Sequence, residues 1–212
     1  SSDLISSGPL TVISLTAIVV LIIESLSDRS EWLNSWLSIL GLLLAIGVAF
    51  GSIGTSGTAY TGMLTTGGYA SYFSIVFCLA GLLSVMLSQS YIRKEGIEHG
   101  EYHSLLLFAV AGMMLMAGAG DLITFFLGLE LMSISFYILA GLARKSLMSN
   151  EAALKYFLLG AFATGFLLYG IAMVYGSTGT TNIPLIIMGV AAHSKDTLFV
   201  IGLGLLMIGL VF

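Results

Sequence analysis

Seven long apolar runs, separated by short polar connections, dominate this 212-residue chain and limit its fold more than any other feature. An α-helix rises 1.5 Å per residue, so roughly 20 apolar residues cross the ~30 Å hydrocarbon layer of a bilayer. The runs fall at 8–24, 33–51, 69–90, 103–119, 121–143, 151–175 and 197–212. Hydrophobic residues make up 58% of the chain and charged residues 8%, where a soluble domain carries about 25% charge. Seven Lys and Arg with eleven Asp and Glu cannot coat a water-soluble globule of this size. A cytosolic enzyme, a secreted disulfide scaffold and a disordered tail are therefore excluded. The net charge of −4 argues against electrostatic binding to nucleic acid. Cys78 is the single cysteine and allows no intrachain disulfide. Two prolines and 26 glycines suit closely packed membrane helices. The predicted fold is all-α: a polytopic transmembrane helix bundle with its surface in a lipid bilayer.

The connections suggest an orientation. Arg29 lies between the first two runs, Arg93 and Lys94 after the third, and Arg144 and Lys145 after the fifth. The alternate connections carry only Lys195. The positive-inside rule then places the three basic loops in the cytoplasm and the N-terminus outside. The first run lacks the basic start and small-residue cleavage pattern of a signal peptide and reads as a retained helix. The uncharged stretch 51–68 (GSIGTSGTAYTGMLTTGG) reads as an external loop with little regular structure. A short interfacial helix fits Ile183 to Ala192. The seventh run is still apolar at Phe212, as in a helix cut in mid-span, so the expectation is a fragment of a longer protein.

Two ionisable residues fall within the apolar runs. Glu130 lies nine residues beyond Asp121, about 14 Å into its helix and close to the bilayer midplane. A carboxylate there costs roughly 3 kcal/mol or more, and ion or proton transfer is the default explanation. A structural hydrogen bond between helices is the alternative. Lys155 lies in SNEAALKYFLLGAF, about one turn inside a helix capped by Ser149 or Asn150. It reads equally as a functional cation or as a lysine whose stem reaches the interface. Glu130 and Lys155 sit at different depths on antiparallel helices, about 12 Å apart vertically, so no direct ion pair is expected. Asp121 reads as an N-cap. His99 and His103 are spaced for a metal on one helix face, but without the context of a zinc site, and no metal is expected. His103 reads as the interfacial end of the fourth helix and a candidate point of proton entry. His193, beside Lys195 and Asp196, reads as an outer-interface residue. Met113, Met114 and Met116 read as packing. Ser133, Ser135, Tyr156, Thr164 and Tyr169 either line a polar path or bond locally. No haem-ligand pair, CxxC set or phosphate-binding loop is present, so no redox centre is expected in the chain.

The stretch from Glu101 to Asn182 resembles the N-type (subunit 2) membrane subunit of proton-pumping NADH:quinone oxidoreductase, respiratory complex I. The blocks DLIT, LELMS, EAALKYFLLGA and YGSTG carry the resemblance, and the first 100 residues match in hydropathy alone. It implies an antiporter-like fold of about 14 helices, related to multisubunit cation/proton antiporters, of which residues 1–212 supply the N-terminal half. It also implies that Glu130, in the LELMS block, transfers protons, and that Lys155, in the EAALKY block, extends the same hydrophilic axis. A histidine at 103, where an aromatic residue is more usual in the family, slightly favours a proton role there. NADH, FMN, iron–sulfur clusters and quinone would belong to partner subunits, with no cofactor bound by this chain. Its partners would be the other membrane subunits of the complex, including neighbouring antiporter-like ones. The compact loops lean toward a bacterial plasma membrane. Two other readings remain: a subunit of a sodium/proton antiporter, with the same Glu and Lys logic, and a purely structural membrane adaptor.

Overall fold

The computed structural model describes residues 2–26, 31–95 and 101–211. The seven apolar runs become α2 (Gly8–Leu26), α3 (Glu31–Ser52), α4 (Gly68–Glu95), α5 (Glu101–Ala117), α6 (Leu122–Ala140), α7 (Leu147–Thr178) and α9 (Thr197–Val211). A five-residue helix, α1 (Ser2–Ser6), precedes them, and α8 (Ile183–His193) is the short helix anticipated after the sixth run. Five of these helices, α2, α3, α4, α6 and α7, are long and apolar enough to cross a membrane. At 17 and 15 residues, α5 and α9 are shorter than the roughly 20 residues that cross a bilayer. The backbone beyond α5 is used elsewhere, because the Gly118 carbonyl accepts from Thr65 and the Gly120 N–H donates to Met63.

Those bonds belong to an element that the loop reading missed. The segment between α3 and α4 is an antiparallel hairpin, β1 (Ser56–Ala59) with β2 (Leu64–Gly67), paired from Ser56–Gly67 to Ala59–Leu64. Its turn places Tyr60, Thr61 and Gly62 at φ 53°, 56° and 88°. Small and hydroxyl-bearing residues give little β-propensity. The hairpin persists because its backbone is satisfied twice, by its own ladder and by the α5–α6 connection. Buried backbone groups require such partners.

The helices alternate in direction. One end of the bundle carries the hairpin, the α5–α6 turn and α8. The other end carries the α6–α7 connection, where Arg144 pairs with Glu101 at the start of α5 at 2.8 Å. The larger core lies among α2, α3, α4 and α5. Ile13, Ala17 and Val20 fall on one face of α2 at helical spacing and meet Leu42, Ala45, Cys78, Leu107 and Val110. A smaller core joins α7, α8 and α9 through Val174, Ile186 and Phe199.

The most extensive packing, α5 on α6 and α7 on α9, is built on glycine. A Cβ on Gly112 would come within 2.6 Å of both the Gly128 carbonyl oxygen and the Met132 nitrogen. One on Gly128 would come within 2.8 Å of the Met116 nitrogen. On the other side, Gly170, Gly202 and Gly209 bring α7 and α9 into backbone contact. Lipid gives helices no hydrophobic reason to associate, so this close approach, with its dispersion contacts, holds the pairs together. Gly112→Val is expected to destabilise the α5–α6 pair by about 1–3 kcal/mol or more. A lowered thermal-unfolding midpoint of the purified protein in detergent would register the loss. An unchanged midpoint would show that the pair does not depend on this contact.

Candidate functional site

Glu130 lies midway along α6, on the face turned to α7. The Thr164 hydroxyl of α7 donates to its Oε1 at 2.7 Å. Glu130 is half-buried, and its partner comes from the neighbouring helix rather than from its own turn. Residues three and seven positions on, Ser133 and Tyr137, share its helix face. Ser133 is buried. The Tyr137 ring lies edge-on to Tyr156 of α7 at 4.7 Å and to Phe157 at 5.9 Å. A Cβ on Gly160 would lie 1.8 Å from the Tyr137 hydroxyl, so the bare backbone of α7 forms the seat of the phenol. The sequence reading passed over Tyr137. Its spacing of seven residues from Glu130 was the available signal, but Gly160 opposite it becomes visible only when the helices are paired.

Lys155 is placed differently from the expectation. Ser146, not Ser149 or Asn150, caps α7, accepting from the Ser149 N–H at 3.3 Å. Ser149 instead donates to the Ala140 carbonyl, and Asn150 to that of Arg144, tying the start of α7 to the end of α6. The helix therefore begins earlier than 151, and Lys155 lies beyond its second turn. Its side chain is 74% exposed and pairs with Glu151 one turn back, at 2.5 Å. Ion pairs among the described residues do not join Lys155 to Glu130. Thr164, opposite Glu130, is nine residues from Lys155, or about 14 Å along α7.

The other candidates separate clearly. His103 is buried in the first turn of α5, and neither ring nitrogen has a hydrogen-bond partner among the described residues. His99 lies outside the described residues. Among the described residues, no group of three or more His, Cys, Asp or Glu is arranged to hold a metal. Asp121 caps α6, accepting from Ile123 at 2.8 Å, and also accepts from Thr181 at 2.6 Å, which ties α6 to the α7–α8 connection. Of the polar-path candidates, Ser135 donates to its own helix at Leu131, and Tyr156 and Tyr169 are largely exposed. Near the hairpin end, Ser177 donates to Asp196 and lies 3.4 Å from His193 Nδ1, joining α7 to α8 and α9. That hydroxyl, with the Leu198 backbone N–H, holds the Asp196 carboxyl below its usual range.

The face of α7 carrying Leu154, Lys155, Leu158 and Phe162 is exposed. What the chain buries is thus the α6 side of the carboxylate and not the lysine side.

The chain is similar in sequence and fold to known membrane proteins. A family model described as NADH:quinone oxidoreductase/Mrp antiporter, transmembrane, matches residues 119–212, the part that contains Glu130, Lys155 and Thr164. NADH-quinone oxidoreductase subunit N 1 of Chloroherpeton thalassium is 45% identical over 99% of this chain and 44% of its own length. Among solved structures, respiratory complex I from Thermus thermophilus superposes with a TM-score of 0.78 and 29% identity, over 96% of this chain and 43% of that one. An archaeal membrane-bound sulfane sulfur reductase superposes with a TM-score of 0.81 and 26% identity, over 98% and 43%. The chain spans a little under half the length of the curated relatives it matches. With this agreement of sequence and fold, the chain belongs to the antiporter-like membrane subunits that include subunit N of NADH-quinone oxidoreductase.

Proposed function

We propose that this chain forms part of the proton path of a proton-translocating NADH:quinone oxidoreductase, with Glu130 as the transfer group. The observation that carries the reading is the carboxylate of Glu130 inside the α6–α7 interface, held by the Thr164 hydroxyl and, among the described residues, by no ion pair. A carboxylate so placed takes up a proton when nearby positive charge withdraws and releases it when that charge returns. Lys155, on the exposed face of α7, passes the proton on or biases its neighbours. His103, buried and with neither ring nitrogen partnered among the described residues, is the entry group at the end that carries Arg144 and Glu101.

In this reading the helices are part of a larger antiporter-like domain. NADH oxidation and quinone reduction, with FMN and iron–sulfur clusters, take place in partner subunits, and other antiporter-like subunits flank this one. The basic connections face the cytoplasm of a bacterium and the hairpin faces outward.

Glu130→Gln keeps the size and hydrogen-bonding capacity of the side chain and removes its titration. The assembled complex carrying it is expected to form normally and to lose proton pumping in reconstituted vesicles. Pumping at the wild-type rate rejects the role of Glu130. Thr164→Val removes the donor at nearly constant volume and is expected to cost about 0.5–2 kcal/mol of helix-pair stability. Thermal unfolding of the purified protein checks this, and an unchanged midpoint would mean that the bond contributes nothing.

The family description also includes Mrp antiporters. Sodium-dependent proton exchange in vesicles without NADH would favour that activity. Copurification with flavin and iron–sulfur subunits would favour the oxidoreductase.

A further inference from the structure

Glu130 and Lys155 are separated by about 14 Å along α7, several times the reach of one hydrogen bond. Tyr137 lies within that interval. It is seven residues from Glu130 on the same face of α6, about 10 Å toward the end that carries Lys155. Its ring does not simply fill an apolar gap. A Cβ on Gly160 would stand 1.8 Å from the hydroxyl oxygen and 2.6 Å from Cζ, so the hydroxyl end of the ring is the part that lies on α7. Tyr156 and Phe157 flank the ring edge-on. The titratable groups acting on the phenol are Glu130 on its own helix and Tyr156 across the interface, and the Ser133 hydroxyl acts on it as well. A phenol between helices keeps its polar tip partnered, and Glu130 and Ser133 share its face of α6.

We propose that Tyr137 is a further proton-transfer residue of the route, its hydroxyl seated on Gly160 and extending the polar face of Glu130 and Ser133 toward the end of the helix pair that carries Lys155. The hydroxyl accepts a proton on its lone pair from one neighbour and releases its own to the next, so one O–H bond forms as another breaks. Water completes the route on either side, and no electron is transferred. Gly160 is required because any side chain there displaces the phenol. This inference rests on the reading of Glu130 as the transfer group.

The test uses the whole complex in vesicles, driven by NADH and read by a pH-sensitive dye. Tyr137→Phe keeps the ring and removes the hydroxyl. It is expected to leave assembly intact and to lower the pumping rate by about tenfold. Replacing Tyr137 with a fluorotyrosine keeps the hydroxyl and nearly the same shape but makes the phenol a better proton donor and a poorer acceptor. It is expected to keep pumping at a changed rate, which a packing role does not produce. Wild-type pumping by Tyr137→Phe overturns the proposal, and so does an unchanged rate for the fluorotyrosine protein. If Tyr137→Phe fails to assemble, the fluorotyrosine rate decides alone. Glu130→Gln in the same assay separates the two levels. Normal pumping by Glu130→Gln removes the underlying reading. Silent Glu130→Gln with normal Tyr137→Phe removes only the role of Tyr137.

Discussion

Hydrocarbon supplies no hydrogen bonds, so each backbone N–H and C=O within it must find a partner inside the protein. This condition turns the long apolar runs into helices and confines irregular backbone to the helix ends. Where the chain departs from helix, it recovers the lost bonds immediately. The hairpin after α3 pairs with itself and with the α5–α6 turn. Asp121 and Thr181 close the gap between α6 and the α7–α8 connection. The end of the bundle that carries the hairpin is thus a set of short polar clasps, and these fix the depth at which α6 and α7 begin and end.

Depth matters because the site consists of two helices in register. Glu130 meets Thr164 only if α6 and α7 pass at one height, and Tyr137 meets Gly160 only at the same height. Clasps at the two ends set it, Ser149 to Ala140 at one and Leu122 to Thr181 at the other. Between them the glycine contacts of α5 with α6 and of α7 with α9 hold each site helix against a second one. A carboxylate in this setting is costly unless paired, and here its partner is the neutral hydroxyl of Thr164.

The two charged residues that stand out in the sequence have unlike surroundings. Glu130 is enclosed by α6 and α7, whereas Lys155 and Glu151 form a pair on the exposed face of α7. An exposed pair of this kind contributes little to stability, about 0–1 kcal/mol. Lys155 is therefore not needed to hold these helices together.

The helices were legible because their cause is local: about twenty apolar residues in a row admit one regular structure in a bilayer. The same reasoning anticipated α8, the cap at Asp121 and the separation of Glu130 from Lys155. It missed the hairpin, whose glycine, serine and threonine residues show no strand pattern and which forms because the α5–α6 turn lies beside it. It also misplaced the start of α7, since Ser146 competes with Ser149 and Asn150 and is selected by contact with α6. Glu130 drew attention by its chemistry alone, as an acid in an apolar run. Thr164 stood only among several hydroxyls that either line a polar path or bond locally, and Tyr137 and Gly160 did not stand out, because such residues in a membrane helix are ordinary until their neighbours are known. The sequence by itself determined that the chain crosses a membrane and carries an acid within one of its apolar runs. Which groups surround that acid was decided by the packing of α6 on α7, because side chains 23 to 34 residues apart meet only when two helices are set in register.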